Sequence, residues 1–188
     1  MRKKIFIIIG LIFSITFIAQ QNSSIGYSFI KLAATEQTIT SSANTNQYIS
    51  KTFEEESIYG SKMVQLEKKY QLYKELINIY FDNNGKIINF TVRFIITTKK
   101  SRTSLETLFI SIQDKLTEKY GDSEREGVPY YKFVSNKFIV YLKPIFPASE
   151  GFDLYFEDYE NYNLYKQYYE EKMKSQETEE VQSIVDSL

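Results

Sequence analysis

The chain contains no histidine, no cysteine and no tryptophan. Any chemistry it performs therefore has to come from carboxylates, lysines, hydroxyls and phenols. The missing types are the commonest general base, the thiolate nucleophile and the usual ligands of zinc, copper, haem and iron–sulfur clusters. Disulfides are excluded with them, and no cofactor is expected. Ser28 and Lys31 form an S-x-x-K spacing, which on a helix lets the lysine deprotonate the serine. The S-D-N and K-T-G elements that accompany it in penicillin-binding enzymes are missing, so the spacing reads as coincidence. Paired carboxylates cleave glycosidic bonds without histidine or cysteine, and Glu54, Glu55, Glu56, Glu124, Glu126, Asp153, Glu157 and Asp158 are available. Nothing in their spacing selects a pair. The first five read as solvated loop or edge charges, and Asp153 and Glu157 fall on the outward phase of a strand.

Asp82, Asn83 and Asn84 suggest a calcium loop, but an EF-hand needs glycine sixth and an acid twelfth. Here Gly85 stands fourth and Arg93 twelfth, so a turn is expected. Asn22 and Asn89 match the N-glycosylation sequon; Asn89 lies inside a strand pattern, and no glycan is expected. Glycine-rich phosphate loops are absent. The densest cluster of a single recognising residue type is Tyr155, Tyr159, Tyr162, Tyr165, Tyr168 and Tyr169, with Phe152 and Phe156 beside it. Tyrosine joins an apolar ring to a polar tip and is enriched where a surface recognises protein or sugar. Part of this set has to pack the last helix onto the sheet. The rest form a candidate interaction surface, for a protein partner first and a carbohydrate second.

The elements that must position these residues follow from periodicity. Ile77, Ile79 and Phe81 alternate with polar neighbours, Asn83-Asn84-Gly85 turns the chain, and Ile88, Phe90, Val92, Phe94 and Ile96 resume the alternation. Leu76 to Ile96 is thus a β-hairpin. Residues Ser61 to Tyr73 fit both a helical and a period-two template; a strand is preferred because it would extend the hairpin and share its buried face. Thr103 and Glu106 make a capping box, Leu105, Leu108, Phe109, Ile112, Leu116 and Tyr120 form a stripe, and Gly121 stops the run, which predicts an amphipathic helix. Tyr131–Val134 and Lys137–Lys143 read as a second hairpin, Phe152–Phe156 as a further strand, and the chain from about Tyr159 as a helix. Tyr27–Leu32 and Tyr48–Glu56 are weak strands. The expected class is α+β: an antiparallel sheet built from hairpins, with one central amphipathic helix and a C-terminal helix packed on one face. No internal repeat is legible.

Arg2, Lys3 and Lys4 precede an apolar run from Ile5 to Ala19, the pattern of a secretory signal peptide and shorter than the roughly 20 residues a membrane span wants. Residues 1–20 are read as that signal, with cleavage near Gln20 to Ser23 and an uncleaved envelope anchor as the alternative. With no cysteine after the run, the lipid-attachment route of bacterial lipoproteins is closed. Residues 21–47 read as a loosely structured stretch, 48–174 as a single α+β domain and 175–188 as a polar, fraying tail. Removing Arg2, Lys3 and Lys4 from 23 basic residues leaves 20 against 24 acidic ones, a formal charge of −4. That balance disfavours nucleic acid, and Lys99, Lys100 and Arg102 are too local a cluster to track a phosphate backbone. The expectation is a periplasmic or secreted, non-enzymatic binding domain that leaves the membrane after signal cleavage. The alternative is a cofactor-free envelope hydrolase.

Overall fold

The computed structural model describes residues 26–186 apart from 33, 55, 98–101, 126–129, 136 and 145–149. The signal segment, its cleavage region, Asn22, Glu55, Glu126, Lys99 and Lys100 lie outside the described residues. The chain opens with a short hairpin of β1 (Gly26–Tyr27) and β2 (Ile30–Lys31), then α1 (Glu36–Thr45). A meander follows: β3 (Ile49–Phe53), β4 (Lys62–Lys69), β5 (Tyr73–Phe81) and β6 (Ile87–Ile96). Next come α2 (Arg102–Tyr120) and a second run of strands, β7 (Glu124–Arg125), β8 (Tyr131–Ser135), β9 (Phe138–Pro144) and β10 (Gly151–Asp158). The last element is α3 (Tyr159–Asp186). The fold is α+β, and the segment that fitted two templates is the strand β4.

Strands β3 to β10 form one sheet in the order β3-β4-β5-β6-β10-β9-β8-β7, every neighbouring pair antiparallel. The topology is duplicated although the residues are not. Each half is a helix followed by a four-strand meander, and the halves meet through their last strands, β6 and β10. The β5–β6 turn is closed by Asp82, whose Oδ1 accepts from the backbone N–H groups of Asn84 at 2.8 Å and Lys86 at 2.9 Å. Gly85 takes φ 72°, a left-handed conformation that glycine adopts without a Cβ penalty. The register then slips beside Tyr80 and Phe81, so Asn89 opposes Tyr80 while Ile87 opposes Phe81.

One face of the sheet is the core. Val64, Leu66, Ile77, Ile79, Phe81, Phe90, Val92, Phe94, Phe133, Val140, Leu142, Phe152, Leu154 and Phe156 are buried there. Leu105, Ile112 and Leu116 of α2, Ile39 and Ala43 of α1, and Tyr27, Ile30 and Leu32 of the N-terminal hairpin join the same core. Helix α2 stops where the periodicity predicted: Gly121 at φ 81° donates its N–H to the Thr117 carbonyl at 2.9 Å. Its start differs, because Thr103 lies inside the first turn rather than capping it.

Two further boundaries depart from the sequence reading. The stretch read as loose contains α1, whose Ser-, Thr- and Asn-rich residues have weak helix propensity. Ile39 and Ala43, one turn apart, bury against the sheet, and the Thr35 side chain caps the N-terminus; tertiary packing outweighs propensity here. Helix α3 runs on past Lys174 to Asp186, through the segment expected to fray. Gln176, Glu177, Glu179, Glu180 and Gln182 there are exposed, and Glu and Gln are good helix formers; the Thr178 hydroxyl donates to the Lys174 carbonyl at 2.8 Å.

Phe90 is fully buried on β6 and stacks on Phe156 of β10, with centroids 4.5 Å apart. Phe90→Ala should lower stability by about 3–5 kcal/mol, whereas Val134→Ala, at a half-exposed position of β8, should change it by less than about 0.5 kcal/mol. Urea unfolding of the two variants checks the contrast.

Candidate functional site

Because strand side chains alternate between faces, the register that buries one face defines the other. Across it, successive Cα partners run Lys132, Tyr141, Tyr155, Thr91, Asn78, Gln65 and Lys51. A flanking row runs Lys143, Asp153, Arg93, Leu76, Glu67 and Ile49, and another runs Ile139, Glu157, Asn89, Tyr80, Met63 and Phe53. Most of these side chains are half-buried or exposed; only Asn89 and Glu157 are buried. This second face is polar and aromatic rather than apolar.

Its polar groups are ordered by one another. Arg93 donates through Nε and Nη2 to the two carboxylate oxygens of Asp153 at 2.7 and 2.8 Å, a bidentate cross-strand pair. Gln65 donates to the Asn78 side-chain carbonyl at 2.9 Å, and Lys74 pairs with Glu67 at 2.9 Å. The aromatic rings are also neighbours: Tyr141 lies 5.9 Å from Tyr155 and 6.1 Å from Tyr130, and Tyr59 lies 5.7 Å from Tyr80. The Tyr155 hydroxyl donates to Glu157 at 2.9 Å. Burial pushes the Glu157 carboxyl above the usual range, and the Tyr155 bond offsets this only in part. Burial also raises the Tyr155 phenol, with the adjacent Glu157 carboxylate adding to it.

The six tyrosines singled out by sequence separate into different roles. Tyr155 lies on the sheet face. Tyr165 is buried, donating its hydroxyl to the Ser57 carbonyl at 3.1 Å, while Lys172, about two helical turns beyond, pairs with Glu56. These contacts anchor α3 to the β3–β4 connection. Tyr162 is half-buried beside Glu157 and Tyr59, and Tyr169 is half-buried with its ring 6.5 Å from that of Tyr165. Tyr159 and Tyr168 are exposed. Leu164 and Tyr168 are one turn apart, but exposed Met173, Val181 and Val185 fall on other sides of a 3.6-residue repeat. The exposed apolar residues of α3 therefore make no continuous stripe, and the coherent tyrosine surface is on the sheet. Sequence reading missed its other members, Tyr59, Tyr80, Tyr130 and Tyr141. Tyr80 and Tyr141 do sit on the outward phase of their strands, but only the strand order brings them to one face.

The remaining chemistry does not converge. Ser28 sits on the β1–β2 turn, at φ 55°, and Lys31 in β2, so the two are not on a helix. The described carboxylates are engaged separately: Glu54 by Lys62, Glu56 by Lys172, Glu124 by Lys132, Asp153 by Arg93 and Glu157 by Tyr155. Asn89 is fully buried and donates to the Tyr59 carbonyl at 2.9 Å, out of reach of a glycosyl group. Among the described residues no group of three or more acidic side chains is placed to hold a metal ion, and no helix is long and apolar enough to cross a membrane. No family model matches the chain, and comparison with curated proteins and with solved structures found no match.

Tyr165→Phe removes the bond to Ser57 while keeping the ring, and should cost about 0.5–1.5 kcal/mol. Tyr168→Phe, at an exposed hydroxyl, should be neutral within about 0.5 kcal/mol. Denaturant midpoints of the two variants test whether Tyr165 is an anchor rather than a contact residue.

Proposed function

We propose that this is an exported, non-enzymatic binding domain whose second sheet face recognises a protein partner. The observation that carries the reading is the row of half-exposed Tyr141, Tyr155, Thr91, Asn78 and Gln65 across that face. These side chains contribute little to the core, yet they are ordered by cross-strand pairing. Aromatic residues combined with arginine are the composition of interface centres. Size favours a protein: eight strands of two to ten residues, at about 3.3 Å per residue and about 4.8 Å between strands, make a face on the order of 850 Å². A standard interface covers about 800 Å² on each partner. The same row, a phenol ring beside amide and hydroxyl groups, supports a carbohydrate as the second reading.

The test places a photoreactive residue at Thr91, in the middle of the face, and another at Ser175 on the exposed part of α3, in the producing cell. A discrete protein adduct from position 91, absent from position 175 and reduced at least about tenfold by Tyr141→Ala, is the expected result. Equal adducts from both positions, or none from 91, contradict it. If neutral envelope oligosaccharides perturb Tyr141 and Tyr155 resonances while no protein adduct forms, the carbohydrate reading replaces the protein one.

A further inference from the structure

Glu75 is the most buried charged residue described in the molecule, 1% exposed, and it lies on the core face of β5 among tyrosines. Its Oε2 accepts from the Tyr48 hydroxyl at 2.8 Å and from the Tyr70 hydroxyl at 3.1 Å. Its Oε1 is buried without a hydrogen-bond partner, and so is the hydroxyl of Tyr73. The Tyr27 hydroxyl, from the N-terminal hairpin, is close enough that it and Glu75 perturb one another. The groups facing Glu75 are thus Tyr27 from β1, Tyr48 from the segment between α1 and β3, Tyr70 from the β4–β5 turn, Tyr73 from β5 and Lys68 from β4. On the β6 side its Cα partner is the apolar Phe94. Lys68 is the Cα partner of Glu75 on β4, but its ammonium donates to the Asn46 carbonyl at 2.9 Å and stands 5.2 and 5.3 Å from the Tyr48 and Tyr70 rings.

We propose that Glu75 is a proton-operated latch: protonated on Oε1 it holds the N-terminal hairpin and α1 against the sheet, and on ionisation it favours their release. Oε2 is committed as an acceptor, which leaves Oε1 to carry the proton. An ionised carboxylate at this depth is costly unless it is fully solvated or paired, and among the described residues no cation forms an ion pair with it. Water reaches Glu75 most readily by lifting Tyr27 and Tyr48, because β4, β5 and β6 on its other sides are held in the middle of the sheet. Tyr27 packs edge-on to Phe94 at 6.3 Å and Phe29 edge-on to Tyr48 at 5.5 Å, so hairpin and tyrosines move together. Desolvation is the largest influence on Glu75 and raises its pKa, outweighing the tyrosine bonds and Lys68, which lower it.

The sign follows from linkage. With the closed-state pKa raised above the ordinary value of about 4.3, the closed layer is most stable below that value. Opening increases about tenfold per pH unit above it and levels off once the raised pKa is passed. Hydrogen exchange of the full chain between about pH 4 and about pH 9, corrected for the intrinsic pH dependence of exchange, reads this directly. In the native chain, excess exchange in residues 26–48 should rise and then plateau while β5 and β6 stay protected. In Glu75→Gln it should be independent of pH. A flat native profile, or the same rise in Glu75→Gln, overturns the latch. Should that variant fail to fold, Tyr48→Phe decides: losing a donor to the carboxylate should move the plateau to higher pH, and an unmoved plateau overturns the proposal.

Discussion

The pairing of β6 with β10 is the contact on which the rest of the structure depends. Each half supplies one helix and four strands, and a single four-strand meander under one helix leaves much apolar area uncovered. At the junction Phe90 stacks on Phe156 and Phe94 on Phe152, at 4.5 and 4.7 Å, while Val92 opposes Leu154. These residues fuse two small cores into one. Phe109 of α2 reaches Phe152 edge-on at 5.4 Å, and Tyr27 of the N-terminal hairpin reaches Phe94. Both covering layers are therefore seated on the same aromatic ladder.

Committing one face to that ladder leaves the other polar and aromatic. Its ion pairs are partly exposed, and pairs of that kind contribute about 0–1 kcal/mol each; a single buried phenylalanine of the junction outweighs several of them. The Arg93–Asp153 fork and the Gln65–Asn78 bond consequently matter more for order than for stability. They hold a polar and aromatic surface in a fixed arrangement, which lowers the entropic cost of binding to it. Arg93 is paired with Asp153 and Lys74 with Glu67, Glu157 is held by the Tyr155 hydroxyl, and the centre of the face around Thr91, Asn78 and Gln65 is uncharged.

Much of the fold is legible in the sequence because its elements are strongly periodic. Ile77, Ile79 and Phe81 against Asn78 and Tyr80, and Leu105 through Leu116 with Gly121 behind them, declare strand and helix without tertiary help. Helix α1 does not, since Ile39 and Ala43 are its only buried residues and its propensity is poor. The extension of α3 rests on exposed polar residues, which carry no periodic signal. The site was legible only in part. Tyrosine density pointed to Tyr155 and to α3, whereas the coherent surface also needs Tyr80 and Tyr141, which are far apart in sequence and meet only through the β5-β6-β10-β9 order. Glu75 was invisible for a similar reason: it occupies the buried phase of β5, and the tyrosines around it come from four separate segments.

The central claim is that the sheet's second face around Thr91, beyond the end where Tyr59 and Tyr162 lie against Tyr80 and Glu157, is a recognition surface. Hydroxyl-radical footprinting of the tyrosines measures it directly, first in the purified chain and then in the native fraction of its host that contains the chain. Tyr80 and Tyr141 should be modified in the purified chain and protected in the native fraction, with Tyr168 on α3 modified in both. Equal modification of Tyr80 and Tyr141 in the two preparations would contradict the account.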